Sequence, residues 1–203
     1  MNPRVIVFAR VPRSGEVKTR LARSIGEAAA LAHYRTMLRD TLAVAREAQV
    51  QAPGIEVELC VLGDDPEGEC ARLAAMHGCA LTAQVGASFG ERIAAAVGRA
   101  LSDGRMPVLV GSDVVSLAAR DLHDAFEALR VSDAVFGPTE DGGYALVGLS
   151  REVAGLFDDM PWGRDTLMAA TRRRLQQAGI RWTQLRTLWD VDEEPELRRW
   201  LAG

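Results

Sequence analysis

The feature that most constrains this chain is an alternation: short apolar runs rich in branched residues are separated by longer segments whose apolar residues recur at helical spacing. Short branched runs suit strands buried on both faces. A helical segment between two of them supplies the crossover that parallel strands require. The pattern predicts an α/β fold, a mostly parallel central sheet flanked by helices. Strands are expected at residues 5–9, 56–62, 80–84, 107–112, 134–137 and 144–149, and helices at 67–77, 89–101 and 122–130. Leu21, Ile25, Leu31, Tyr34, Leu38 and Leu42 form another helical stripe, with Gly26 placed to break it in two. The end is less regular, with a helix at 164–178, a strand at 181–188 and an amphipathic turn at 195–200. No linker, low-complexity tract or repeat interrupts residues 1–203, so one domain with a shared core is expected.

Composition narrows what such a sheet can serve. Hydrophobic residues at 48% and charged residues at 26% describe an ordinary folded chain. With 24 Lys plus Arg against 28 Asp plus Glu, the net charge is −4. No global basic field draws the protein to nucleic acid or to a membrane, so a phosphate must be met by a local site. Cys60, Cys70 and Cys79 form no CxxC pair and have no histidine at zinc spacing, and read as small apolar packers. His33, His77 and His123 lie in helical patterns without a triad context. The opening apolar stretch at residues 5–9 is too short for a signal peptide or a span, which makes the cytoplasm the expected location.

Every basic residue is arginine except Lys18. An ammonium is a compact point charge that fits among phosphate oxygens, whereas a guanidinium is a broad planar fork. Lys18 therefore marks a place where arginine would not serve, unless it is a chance survivor. It lies in the loop after the first strand, Arg10-Val11-Pro12-Arg13-Ser14-Gly15-Glu16-Val17-Lys18-Thr19-Arg20. In an open α/β sheet that loop sits at a strand's carboxyl end, where helix amides can meet an anion. Gly15 can take a positive φ, Lys18 can contact terminal phosphates and Arg20 can grip further oxygens, while Arg13 reads as solvated surface. Val17 precedes the lysine where a P-loop needs glycine, so that motif is excluded.

Further along, Val108-Leu109-Val110-Gly111-Ser112 runs straight into Asp113, which is expected at the sheet's carboxyl edge as a metal ligand or as a helix cap. In Asp190-Val191-Asp192, an extended backbone points both acids one way and Val191 into packing. Clustered acids call for a cation, and Mg2+ or Mn2+ is the expected cofactor; an acidic start for the last helix explains the same string. Glu140-Asp141-Gly142-Gly143 before Tyr144 offers acceptors for sugar hydroxyls or a base at Asp141, or is simply a hairpin turn. Arg92, four residues after Ser88, can reach phosphates or a base edge, though a cap at Ser88 explains its setting; Trp162 can stack on a ring or anchor a core.

Together the strings from Phe8 through Pro12, Gly15 to Leu21, Gly111-Ser112-Asp113, Gly137 to Tyr144 and Asp190-Val191-Asp192 resemble a bacterial glycosyltransferase-A-like family. That family is labelled a domain of unknown function, or a transferase associated with radical-SAM and selenium-domain genes, with arsenosugar biosynthesis proposed for members. It is similar at longer range to 2-phospholactate and molybdenum-cofactor guanylyltransferases. The resemblance implies a single-domain nucleotide-diphospho-sugar transferase (glycosyltransferase A) fold. It also implies a divalent ion between Asp113, Asp190 and Asp192 and the nucleotide's phosphates, with Ala9, Arg10, Pro12, Gly15, Lys18, Arg20, Gly111 and Ser112 around the nucleotide, to which the local reading adds Arg92. Lys18, Asp113 and Asp141 are the expected catalytic residues, and Glu140, Asp141, Gly142, Gly143 and Trp162 the acceptor side. The chain departs from the family pattern at Val114-Val115, at Trp162-Gly163-Arg164 and at Glu193 to Leu197.

The expected activity is metal-dependent transfer from a nucleotide sugar to a small acceptor, by a monomer or homodimer. The alternatives are nucleotidyl transfer from a nucleoside triphosphate to a phosphorylated small molecule, with pyrophosphate leaving, and nucleotide binding without turnover.

Overall fold

A computed structural model describes residues 1–203. Seven strands form one sheet: β1 (Asn2–Arg10), β2 (Glu56–Leu62), β3 (Ala80–Ala83), β4 (Arg105–Gly111), β5 (Ala134–Pro138), β6 (Tyr144–Leu149) and β7 (Trp182–Gln184). Seven helices complete the chain: α1 (Thr19–Ile25), α2 (Glu27–Gln51), α3 (Glu69–His77), α4 (Phe89–Ser102), α5 (Ala119–Leu129), α6 (Leu167–Gln177) and α7 (Glu194–Leu201). The spatial order is β3-β2-β1-β4-β6-β5-β7, parallel except that β6 runs against both β4 and β5.

The strands behave as their composition dictates. Val5, Ile6 and Val7 are fully buried because β1 is covered on both faces. One face packs its Val5 and Val7 with Leu38, Leu42, Cys70 and Leu122 from α2, α3 and α5; the other packs Ile6 and Phe8 with Ile93 and Val97 of α4 and Met168 and Leu175 of α6. Gly26, at φ +85°, separates α1 from α2 as its sequence context predicts.

The order brings three loops to one edge. β1 pairs with β2 on one side and β4 on the other, so the loops after β1 and β4 diverge at a topological switch point, where open α/β sheets bind ligands. Because β6 is antiparallel, its start at Tyr144 and the turn from Pro138 share that edge.

The segment expected as a strand at 181–188 pairs regularly only over Trp182–Gln184. Beyond Phe136–Gln184 the pairing with β5 lapses and resumes at a single bridge, Thr139 with Leu188. Five residues from Gln184 to Leu188 thus oppose four from Phe136 to Thr139. This irregularity aims the chain beyond Leu188 at the same edge, as bulges beside binding sites do. The helix expected from residue 164 begins at Leu167, after turns through Pro161 and Arg164.

Candidate active site

The chain around Lys18 is held by packing on either side of it. Val17 and Val191 are buried in one small cluster with Leu21, Tyr34, Met37 and Leu197, so the phosphate-loop candidate and the Asp-Val-Asp string share an anchor. Ser116 joins the loops across the gap: its hydroxyl accepts from the Trp189 N–H at 2.7 Å and lies 3.0 Å from the Trp189 carbonyl. The Val191 N–H reaches the Asp113 carbonyl at 3.4 Å. Arg186 adds paired bonds to the buried Asp121 and one to the Ser116 carbonyl at 2.6 Å.

Tyr34 fastens the other side. Its hydroxyl accepts from the Arg10 N–H at 2.9 Å and donates to the Arg10 carbonyl at 3.0 Å. The tyrosine's one proton is thereby used, so Ser112 Oγ, 3.2 Å away, donates to it. One side chain therefore ties the end of β1 to the end of β4. Burial raises the Tyr34 phenol to about 12, keeping it neutral.

Carboxylate oxygens of Asp113, Asp190 and Asp192 lie within 4.8 Å of one another. Val191 is fully buried between the two acids on its flanks, as alternation predicts. Lys18 lies among them, its side chain only 6% exposed, paired with Asp113 and with Asp192 Oδ1 at 2.9 Å. Arg20 reaches Asp192 Oδ2 at 3.3 Å. Burial would lower the Lys18 ammonium's pKa, but the facing carboxylates of Asp113 and Asp192 more than offset it and hold the group charged. Burial likewise opposes ionisation of Asp192, and Lys18 outweighs it, leaving that carboxyl below its usual range. Asp190 has no such partner: burial, then the nearby charges of Asp113 and Asp192, push it up to about 7. Lys18 also adopts φ +47°, ψ +44°, a left-handed conformation that costs a non-glycine residue roughly 1–2 kcal/mol.

These groups line one end of a cleft of about 590 Å³. Of the nucleotide candidates, Ala9, Arg10, Lys18, Arg20, Arg92, Gly111 and Ser112 line it. Pro12 and Gly15 do not: Pro12 is buried beneath the loop, and Gly15, at φ +76°, turns the chain back toward Glu27 of α2. Arg13 is half-buried rather than freely solvated, bonding the Asp64 carbonyl. Of the acceptor candidates, Asp141, Gly143 and Trp162 face the cleft. Glu140 instead pairs with Arg199 at 2.8 Å, outside it. Gly142 packs on the Asp165 backbone, and its φ of +85° is a turn requirement rather than room for a ligand. Asp141 Oδ1 accepts from Thr139 and from the Gly143 N–H at 3.1 Å, which leaves Oδ2 free.

The departure at Val114-Val115 keeps the loop ordered, because Val114 is buried and the Val115 N–H returns to the Asp113 carbonyl at 3.1 Å. Sequence reasoning missed Gln84, Thr139, Phe89 and Arg164 as cleft residues, and took Tyr34 only as part of an apolar stripe. A hydroxyl on that stripe, facing the ends of two strands, was the available signal for Tyr34.

A seven-stranded sheet with its cleft at the β1/β4 switch point is the nucleotide-diphospho-sugar transferase fold. A protein of Desulfovibrio desulfuricans, provisionally described as a nucleotide-diphospho-sugar transferase, is similar at 29% identity and TM-score 0.82, over 95% of this chain and 84% of that one. A nucleotidyl transferase from Methanothermobacter shares the fold at 15% identity and TM-score 0.63, over 100% and 99% of the two chains. A Mycobacterium tuberculosis protein in complex with manganese shares it at 17% identity and TM-score 0.54, over the whole of both chains. No curated protein matches. The chain belongs to the DUF2064 family, described as an uncharacterized protein conserved in bacteria, which matches residues 41–164. No helix is long and apolar enough to cross a membrane.

Proposed function

We propose that the protein transfers a glycosyl group from a nucleotide sugar to a small acceptor, with a divalent cation held by Asp113, Asp190 and Asp192. The observation that carries this reading is the convergence of three carboxylates, distant in sequence, around one buried lysine at the switch point. The donor set is all oxygen, which suits Mg2+ or Mn2+. A resident ammonium already marks the place as one that requires positive charge. The 29% identity to the Desulfovibrio protein supports the nucleotide-sugar donor.

In the transfer, an acceptor oxygen bonds to the anomeric carbon, the bond from that carbon to the diphosphate oxygen breaks, and its electron pair leaves with the nucleoside diphosphate. When bound, the cation offsets the charge that develops on this leaving group. Lys18 and Arg20 hold diphosphate oxygens, Tyr34 fixes the spacing of the β1 and β4 ends on which they depend, and Asp141 Oδ2 takes the acceptor's proton. No covalent nucleophile is needed.

Nucleotidyl transfer uses the same parts, since a loop cation beside acids also fits an α-phosphorus under attack. Incubating the protein with nucleotide sugars and with nucleoside triphosphates, each with Mn2+ or chelator, separates the readings. Nucleoside diphosphate released from a sugar donor only with metal supports glycosyl transfer; pyrophosphate from a triphosphate supports the alternative. Nucleotide binding that needs no metal and yields neither product overturns both.

A further inference from the structure

The charge in the cleft is unevenly shared. Asp113, Asp190 and Asp192 gather at one end with Lys18 and Arg20 as their counter-charges. Arg10, Arg92 and Arg164 also line the cleft and form no ion pair with a carboxylate of the protein, and of the three only Arg92 has a buried side-chain nitrogen without a partner. Arg92 Nη1 is committed to the Ala87 carbonyl at 3.1 Å, which orients the guanidinium, while its Nε is buried with no hydrogen-bond partner at all. A desolvated guanidinium N–H left open is costly, and arginines inside clefts are normally paired. This one lacks an acceptor that the protein does not supply.

The surroundings say what kind of molecule would bring it. The Arg92 guanidinium carbon lies 5.9 Å from the centre of the Phe89 ring. Phe89 meets Phe8 at 6.0 Å and Trp162 at 5.0 Å, edge to face, and Tyr144 meets Trp162 at 5.9 Å. Arg164, two residues after Trp162, is exposed and lines the same cleft as Arg92 and these rings. Phe89 keeps 42% of its surface exposed although it stands in a wall of packed rings. A carbon skeleton laid on that wall would cover it, and an oxyanion on the skeleton would meet the planar forks of both arginines.

We propose that the Trp162 side of the cleft is an anion subsite, in which Arg92 and Arg164 receive the carboxylate or phosphate of a small acceptor whose carbon skeleton lies on the aromatic wall. That the anion belongs to an acceptor rests on the transferase reading; the anion subsite itself rests on the unpartnered Arg92 Nε, with Arg164 in the same cleft lining. It reassigns Arg92 from the nucleotide phosphates, the role its sequence setting suggested, to the other substrate.

The test titrates the full chain calorimetrically with phosphoglycolate, malonate, inorganic phosphate and neutral glycerol, in wild type, Arg92→Gln, Arg164→Gln and Lys18→Met. The same four proteins are titrated with a panel of nucleotides and nucleotide sugars in Mn2+. We expect phosphoglycolate or malonate to bind, glycerol not to bind, and each arginine variant to weaken the anion about tenfold or more while Lys18→Met retains it. Phosphoglycolate and malonate compared tell a phosphate-bearing from a carboxylate-bearing acceptor. Nucleotide affinity should stay within about twofold in both arginine variants. Anion binding that survives both arginine substitutions, or that is lost only in Lys18→Met, overturns the subsite. So does nucleotide affinity falling in Arg92→Gln, or a wild type that binds none of the three anions. If no nucleotide binds wild type, the transferase reading fails by itself, while the anion titrations still decide the subsite.

Discussion

Replacing Lys18 with methionine keeps the length of the side chain and removes its charge. Its ammonium is almost wholly buried between Asp113 and Asp192, so the variant leaves two facing carboxylates, with Asp190 beside them, compensated only by Arg20. Breaking a buried pair by removing one partner costs about 3–5 kcal/mol. Asp192 is 45% exposed, and solvent screening there reduces the expected loss to about 2–3 kcal/mol. For a chain of this size that lowers Tm by about 4–12 °C in chelator. A divalent ion should then do more for the variant than for wild type, because in wild type it must first displace the ammonium. At a hundredfold excess over its Kd the ion contributes about 2.7 kcal/mol, enough to recover most of the loss. Differential scanning calorimetry of both proteins in EDTA and across a Mn2+ series measures each quantity. If Tm in chelator is unchanged, or if Mn2+ shifts both proteins equally, then Lys18 is not the counter-charge of the acid cluster.

Three other perturbations read other parts of the frame. Tyr34→Phe strands the Arg10 N–H and carbonyl and should cost about 1–3 kcal/mol by urea denaturation, with weaker nucleotide binding at unchanged metal affinity. Gly142→Ala places a methyl 2.2 Å from the Asp165 carbonyl oxygen at φ +85°, and should lose about 2–4 kcal/mol; a silent substitution there would mean that the turn moves freely. Asp133 is held below the usual carboxylate range by the Arg151 guanidinium and then by the Arg181 N–H. Its folded-state pKa lies below the unfolded value near 4, so the stability it contributes is complete above that pH and disappears as pH falls through the folded value. Stability curves from pH 6 to 2 should therefore fall more steeply for wild type than for Asp133→Asn, and parallel curves would refute the assignment.

What was legible in the sequence follows from how far along the chain each cause extends. The strands β1, β2, β4, β5 and β6 and the break at Gly26 could be read because burial on both faces demands unbroken apolar runs, and a helix stripe demands its period. The facing of Asp190 and Asp192 could be read too, since alternation about a buried Val191 is a local rule. Neither the phase nor the direction of that segment was local. Both depend on the five-against-four mismatch between residues 184–188 and 136–139, and on Ser116 holding both polar groups of Trp189. Glu140 and Gly142 illustrate the converse, since a string rich in acids and glycines looks like a ligand loop until Arg199 and the Asp165 carbonyl are seen to occupy it. The arginines were the hardest to read. In a chain with one lysine, arginine carries every ordinary surface role, so Arg92 and Arg164 look like all the others in the sequence. What sets Arg92 apart is a buried Nε with no acceptor, and what sets Arg164 apart is its place in the same cleft lining; both are properties of the folded chain. The lone lysine is distinctive for the opposite reason: three converging carboxylates leave room for a compact ammonium that can give way to a metal, and a planar guanidinium bound bidentately to two of them would close the space instead.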